Sequence, residues 1–128
     1  MISKQFIVDE LSELRAMQRV FREAKFCIEA DDDEISESPV VASLFRRLMV
    51  SLIEAEVITS GESARKSWEA WLSMDDPNRD EWSAALRRAR KQSKWEGLTL
   101  DEKRAYAKLL LSPFLLSDRM TQLFLESV

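Results

Sequence analysis

The sequence predicts an all-α protein, a single-domain bundle of five to six helices with the stretch 40–58 at its centre. Three observations lead to that class. Apolar residues recur at steps of three and four along most of the chain, the period of one helix face. No stretch alternates apolar and polar residues for long enough to make a strand. The few residues that interrupt helices, two glycines and three prolines, stand mostly where helices should start or stop.

The first helix is expected from about Ser3 to Glu29. Ile7, Leu11, Leu14, Met17, Phe21, Ala24 and Ile28 form one stripe, widened by Val20 and Cys27. Glu10, Glu13, Arg22, Glu23 and Lys25 are expected on the solvated side. The run Asp31-Asp32-Asp33-Glu34 cannot be buried as four adjacent charges, so residues 30–38 are expected as an exposed acidic loop. It is no calcium loop, because Ser36 and Ala42 stand where glycine and an acid are required.

Ser38 and Pro39 form a helix start, a side-chain acceptor followed by the one residue that lacks an N–H to satisfy. The following segment, through Val41, Leu44, Phe45, Leu48, Met49, Leu52 and Ile53, is apolar on more than half its circumference, which is why it is expected in the middle. Gly61 supplies its stop. A third helix, Glu62 to Met74, turns Ala64, Trp68, Trp71 and Leu72 to one side, and a turn follows at 75–78. Asn78 and Glu81 have capping-box spacing for a fourth helix burying Trp82, Leu86 and Ala89 and running to about Trp95. After a short break at 96–99, Thr99 and Glu102 repeat that spacing for a fifth helix through Tyr106 to Leu111. Ser112-Pro113 repeats the earlier start signal and should open a last helix with Phe114, Leu115, Leu116, Met120, Leu123, Phe124 and Leu125.

Composition narrows the chemistry. With 128 residues the chain is long enough for a real core without staples. It has no histidine, which removes Ser-His-Asp and Cys-His catalysis and His-bearing zinc sites. Its single cysteine, Cys27, removes internal disulfides. Two separated glycines, Gly61 and Gly97, cannot form a phosphate-cradling loop. The start Met1-Ile2-Ser3-Lys4-Gln5-Phe6 is not a secretory signal, and the apolar run Leu109–Leu116 is too short to span a membrane. A cytoplasmic protein without catalytic residues, metal or cofactor is therefore expected.

The net charge is −4, unevenly divided: residues 1–64 carry 7 basic and 13 acidic side chains, residues 65–128 carry 12 and 10. Most of the basic excess lies in Arg87-Arg88-Ala89-Arg90-Lys91-Gln92-Ser93-Lys94. Arg87, Arg90, Lys91 and Lys94 should share one helix face, near a C-terminus where the helix dipole favours cations. Such a strip either stays solvated, pairs with the acidic loop, or receives a polyanion. The four tryptophans fall between 68 and 95. Trp68, Trp71 and Trp82 are expected to pack the third and fourth helices together, or Trp68 and Trp82 with Phe45 and Met49 to line a small pocket. Trp95, at a helix end beside Lys94, is the best candidate for an exposed contact.

The stretch Ala64-Arg65-Lys66-Ser67-Trp68-Glu69-Ala70-Trp71, with the turn and helix after it, resembles the third-to-fourth helix passage of acyl-CoA-binding proteins. The tyrosine- and lysine-bearing motif those proteins carry on their second helix has no counterpart here, so neither ligand nor fold is carried over.

What remains is a non-enzymatic helical module that binds another protein or itself, in the manner of a small adaptor, chaperone, inhibitor or immunity-type factor. The alternative is a nucleic-acid-associated or regulatory protein using the basic face 87–94. The candidate contact residues are Arg87, Arg88, Arg90, Lys91, Lys94, Trp95, Phe114, Leu115 and Phe124, the apolar ones because the last segment holds more apolar residues than one stripe needs.

Overall fold

Most helix ends follow the local chemistry of the residues placed there. The computed structural model describes residues 5–27 and 33–128. Its helices are α1 (Leu11–Phe26), α2 (Asp33–Glu37), α3 (Pro39–Ser60), α4 (Glu62–Leu72), α5 (Asp80–Lys91), α6 (Leu100–Leu111) and α7 (Asp118–Ser127), with a 3-10 turn at Trp95–Gly97. Among the described residues the all-α class stands without a strand, an isolated bridge between Ser73 and Leu115 being the nearest approach to one.

Ser38 starts α3 as expected: its hydroxyl accepts the Val41 N–H at 3.1 Å, with Pro39 at the first helical position. Thr99 and Glu102 cap α6 reciprocally, the Thr99 hydroxyl accepting from the Glu102 N–H and the Glu102 carboxylate from the Thr99 N–H. Gly61 ends α3 with φ +85° and ψ −178°, and its N–H returns to the Val57 carbonyl. Only glycine adopts that backbone at little cost.

Several starts and stops differ. Helix α1 begins at Leu11, so Ile7 stays outside it and 62% exposed; the expected ends at Ser3, Ile28 and Glu29 lie outside the described residues. The acidic segment is not all loop: Asp33–Glu37 makes a short helix against α1 and α6, burying Ser36 and receiving the Tyr106 hydroxyl on the Glu37 carboxylate at 2.8 Å. Small Ser36 fits between the two larger helices while Glu34 stays at the surface. Asn78 does not cap α5; its N–H turns to the Asp76 carboxylate, and Arg79 takes the capping position. Ser112-Pro113 does not open a helix. Its peptide bond is cis, and the last helix starts at Asp118, where the Ser117 hydroxyl accepts from the Met120 N–H. Residues 113–116 cross instead to α4: Leu115 donates to the Leu72 carbonyl and accepts from the Met74 N–H.

One core joins these elements, with Leu14 and Phe26 from α1, Phe45, Met49 and Leu52 from α3, Trp82 and Ala89 from α5, Leu110 and Leu111 from α6, and Phe124 from α7. Helix α3 lies against both α1 and α4, yet it is not enclosed on all sides: Val40, Leu44, Val50 and Ile58 face outward and are exposed. The tryptophans do not join α4 to α5. Trp71 packs on Phe114 and Trp82 packs edge-on against Phe124, so each ties its helix to the C-terminal third of the chain. Phe45 and Trp82 are enclosed in this core, so they do not line the expected pocket, whereas Met49 lines an open groove beside Leu72.

Two charges expected in solvent are drawn inward. Lys25 is 2% exposed, and Arg22 reaches the buried Glu81 carboxylate at 2.9 Å. Burial by itself would raise the Glu81 carboxyl, but bonds from its own backbone N–H and from Arg22, and the charges of Arg79 and Arg22, outweigh it and hold the group below the usual range. A second pair, Arg15 with Glu56, is two-pronged at 2.6 and 3.0 Å and pins α1 to α3.

The Gly61 geometry gives a direct test. A Cβ at Gly61 or at Gly97 would touch nothing within 4 Å, so only the backbone distinguishes the two positions. Gly61→Ala should cost about 1–3 kcal/mol in chemical denaturation. Gly97→Ala should change stability by less than about 0.5 kcal/mol. Equal effects at both sites would contradict the assignment.

Candidate partner-binding surface

The buried crossing of residues 112–116 creates the most distinctive surface of the molecule. Irregular backbone inside a protein must satisfy its polar groups without a helix ladder. Here Lys25 donates its ammonium protons to the carbonyls of Leu109 (2.7 Å) and Ser112, closing the C-terminal end of α6 where cations are favoured. Arg46 of α3 donates to the Ser112 hydroxyl at 3.0 Å. Phe114 is held among Phe26, Trp71 and the Arg79 guanidinium, which lies 4.6 Å from the ring centre.

With its neighbours so fixed, Leu115 cannot turn inward. Its backbone is bonded on both sides to Leu72 and Met74, and its side chain stands 68% exposed. Two open grooves meet under it. One runs along α6 between Lys108, Leu109, Pro113 and Leu116. The other lies between α3 and α4, walled by Met49, Val50, Ile53 and Leu72. Arg46, Pro113 and Leu115 line both, and among the described residues no acid lines either. The surface is an apolar saddle with cations, Arg46 and Lys108, at its rim.

Of the contact residues expected from sequence, Leu115 and the cations Arg87, Arg90, Lys91 and Lys94 are exposed, whereas four others are not. Arg88 is 7% exposed and donates to the Cys27 carbonyl, because it sits about 100° around the helix from Arg87 and faces α1. Trp95 is 6% exposed: α5 stops at Lys91, and the following turn lays the indole beside Tyr106 and under the Lys103 ammonium. Phe114 and Phe124 are core residues at 4% and 0%. Lys94 is not on the α5 face; it precedes the 3-10 turn. Arg87, Arg90 and Lys91 do share a face, with Ser83, along one groove. Arg90 also donates to the Ser127 carbonyl at 2.5 Å, which joins α5 to the end of α7.

Arg46, Lys108 and Val50 were not expected at a site. Arg46 and Arg47 interrupt an otherwise apolar helix, a signal available in the sequence. Which of the two lies beside Ser112 depends on a contact across 66 positions.

Among the described residues, no three acidic or cysteine side chains gather as they would around a metal ion, and no helix is long and apolar enough to cross a membrane.

Lys25 makes the crossing sensitive to pH. Burial, with the Arg46 charge adding to it, lowers its amine from 10.5 to about 7. A neutral amine still has two protons for its two carbonyls, so losing the charge removes no hydrogen bond. Between pH 7 and the ordinary lysine range the unfolded chain holds this proton and the folded chain does not. This group therefore makes stability rise with pH across that window, by at most about 1.4 kcal/mol per unit, and contributes no slope below it. Denaturation of the wild type and of Lys25→Met from pH 6.5 to 9 should show the steeper rise in the wild type. Parallel curves would contradict the shift. No protein family, curated protein or solved structure matches this chain.

Proposed function

We propose that this chain is a non-enzymatic binding module whose saddle around Leu115 takes a segment of another protein, one that carries an apolar anchor flanked by acidic residues. The observation that carries the reading is Leu115 itself. A large apolar side chain is held outward by backbone bonds on both sides, between two apolar grooves and beside two cations.

The chemistry of the partner follows from these neighbours. Apolar side chains packed into desolvated pockets supply most of the affinity of an interface, and charges at the rim select and steer the partner. The rim here is positive and no acid among the described residues lines the grooves, so a partner with carboxylates is favoured and a basic one disfavoured. The site would come largely preformed, because Lys25, Arg46 and Phe114 already hold its floor.

Selection of displayed peptides against the purified chain tests this. Enriched peptides should combine an apolar residue with nearby Asp or Glu. Leu115→Asp should weaken their binding by about 30-fold, the equivalent of about 2 kcal/mol, and Arg46→Gln should weaken the acidic peptides more than neutral ones. The reading fails if no peptides are enriched, or if binding ignores Leu115→Asp. It fails also if the chain is a dimer that Leu115→Asp dissociates, since the saddle's occupant is then a second copy.

A further inference from the structure

The exposed cations of α5 lie on a different surface, and the protein-binding reading makes no use of them. Helix α5 separates its charges by position. Its acids, Asp80 and Glu81, are in the first turn, and Glu81 is buried and bonded to Arg22 and Arg79. The last two turns carry only cations. Arg88 turns inward, which leaves Arg87, Arg90 and Lys91 exposed along one groove with Ser83. Among the described residues none of these three is in an ion pair, and the groove is lined by no acid and no apolar side chain. Arg90 is held by the Ser127 carbonyl at 2.5 Å, so part of the strip is already ordered.

Dipole stabilisation explains why cations are tolerated at a helix C-terminus, but no acid among the described residues balances the charge of the strip. A protein partner would be anchored by apolar or aromatic contacts, and an amphipathic approach to a membrane would need apolar side chains beside the cations. This groove has neither. Cations with a hydroxyl suit contacts to phosphate oxygens.

We propose that Ser83, Arg87, Arg90 and Lys91 hold the phosphodiester backbone of a nucleic acid. With a net charge of −4 on the whole chain, binding is weak and confined to this strip.

The test is fluorescence anisotropy with a labelled single-stranded RNA of mixed sequence. Three phosphate contacts give a slope of about −2 in log affinity against log salt, so a tenfold rise in monovalent salt should weaken binding about 100-fold. Arg87→Gln/Lys91→Gln, which keeps Arg90 on Ser127, should reduce that slope to about −0.7. Arg19→Gln/Lys66→Gln removes the same net charge from exposed positions elsewhere and should leave the slope unchanged. Circular dichroism of both variants checks that the helices are intact. The proposal is overturned if no binding is seen at low salt, or if the two variants lose affinity equally. It is overturned too if polyglutamate or vesicles of anionic phospholipid compete as strongly as the RNA and show the same dependence on Arg87 and Lys91.

Discussion

The crossing of residues 112–116, buried at Ser112, Pro113 and Phe114, is the constraint on which the rest of this structure depends. An α-helix carries its own hydrogen bonds wherever it is buried, but a non-helical segment does not, and each unpaired buried carbonyl or N–H costs about 1–3 kcal/mol. Here the partners come from three directions. Lys25 reaches the carbonyls from α1, Arg46 reaches the Ser112 hydroxyl from α3, and Leu115 exchanges backbone bonds with Leu72 and Met74 after α4. Removing the crossing would leave α1, α3 and α4 each with a polar group that has lost its counterpart. It would also leave Phe26 and Trp71 without the Phe114 ring between them.

The same constraint produces the surface features. Leu115 is exposed because its backbone is engaged and its neighbour Phe114 occupies the core position. Lys25 is buried because the end of α6 must be closed from inside, and the cost of that burial shows in its lowered pKa. The ion pairs of Arg15 with Glu56 and Arg22 with Glu81 then fix the remaining freedom of α1 against α3 and α5. Arg46 and Lys108 on one side and Arg87, Arg90 and Lys91 on another remain exposed, although Arg46 and Arg90 also bond within the fold, and they define two separate positive surfaces on a chain of net negative charge.

Helix starts were legible where the capping residue and its acceptor are neighbours in sequence. Ser38-Pro39 and Thr99-Glu102 are such cases, because the bonds close within three residues and no distant group competes. Ser112-Pro113 carries the same local signal as Ser38-Pro39 and does something else. The residues after it gain more from pairing with Leu72 and Met74 and from filling the core with Phe114 than from one more helical turn. Asn78 fails as a cap for a related reason: the Arg79 side chain is drawn to the Trp71 carbonyl and the Phe114 ring, which sets where α5 begins.

The sequence by itself determined the helical class, most helix spans and the uneven charge, since these rest on periodicity and on contacts within a few residues. It also marked Leu115 and the α5 cations as surface candidates, without separating them from Arg88, Trp95, Phe114 and Phe124. Only the tertiary structure decided which of those face outward. A one-residue step around a helix turns a side chain by about 100°, and whether that turn ends in solvent or against a neighbour depends on elements far away in the chain. Lys25 is the clearest instance. It reads as a solvated lysine on a polar face, and its burial is set by carbonyls 84 and 87 positions later.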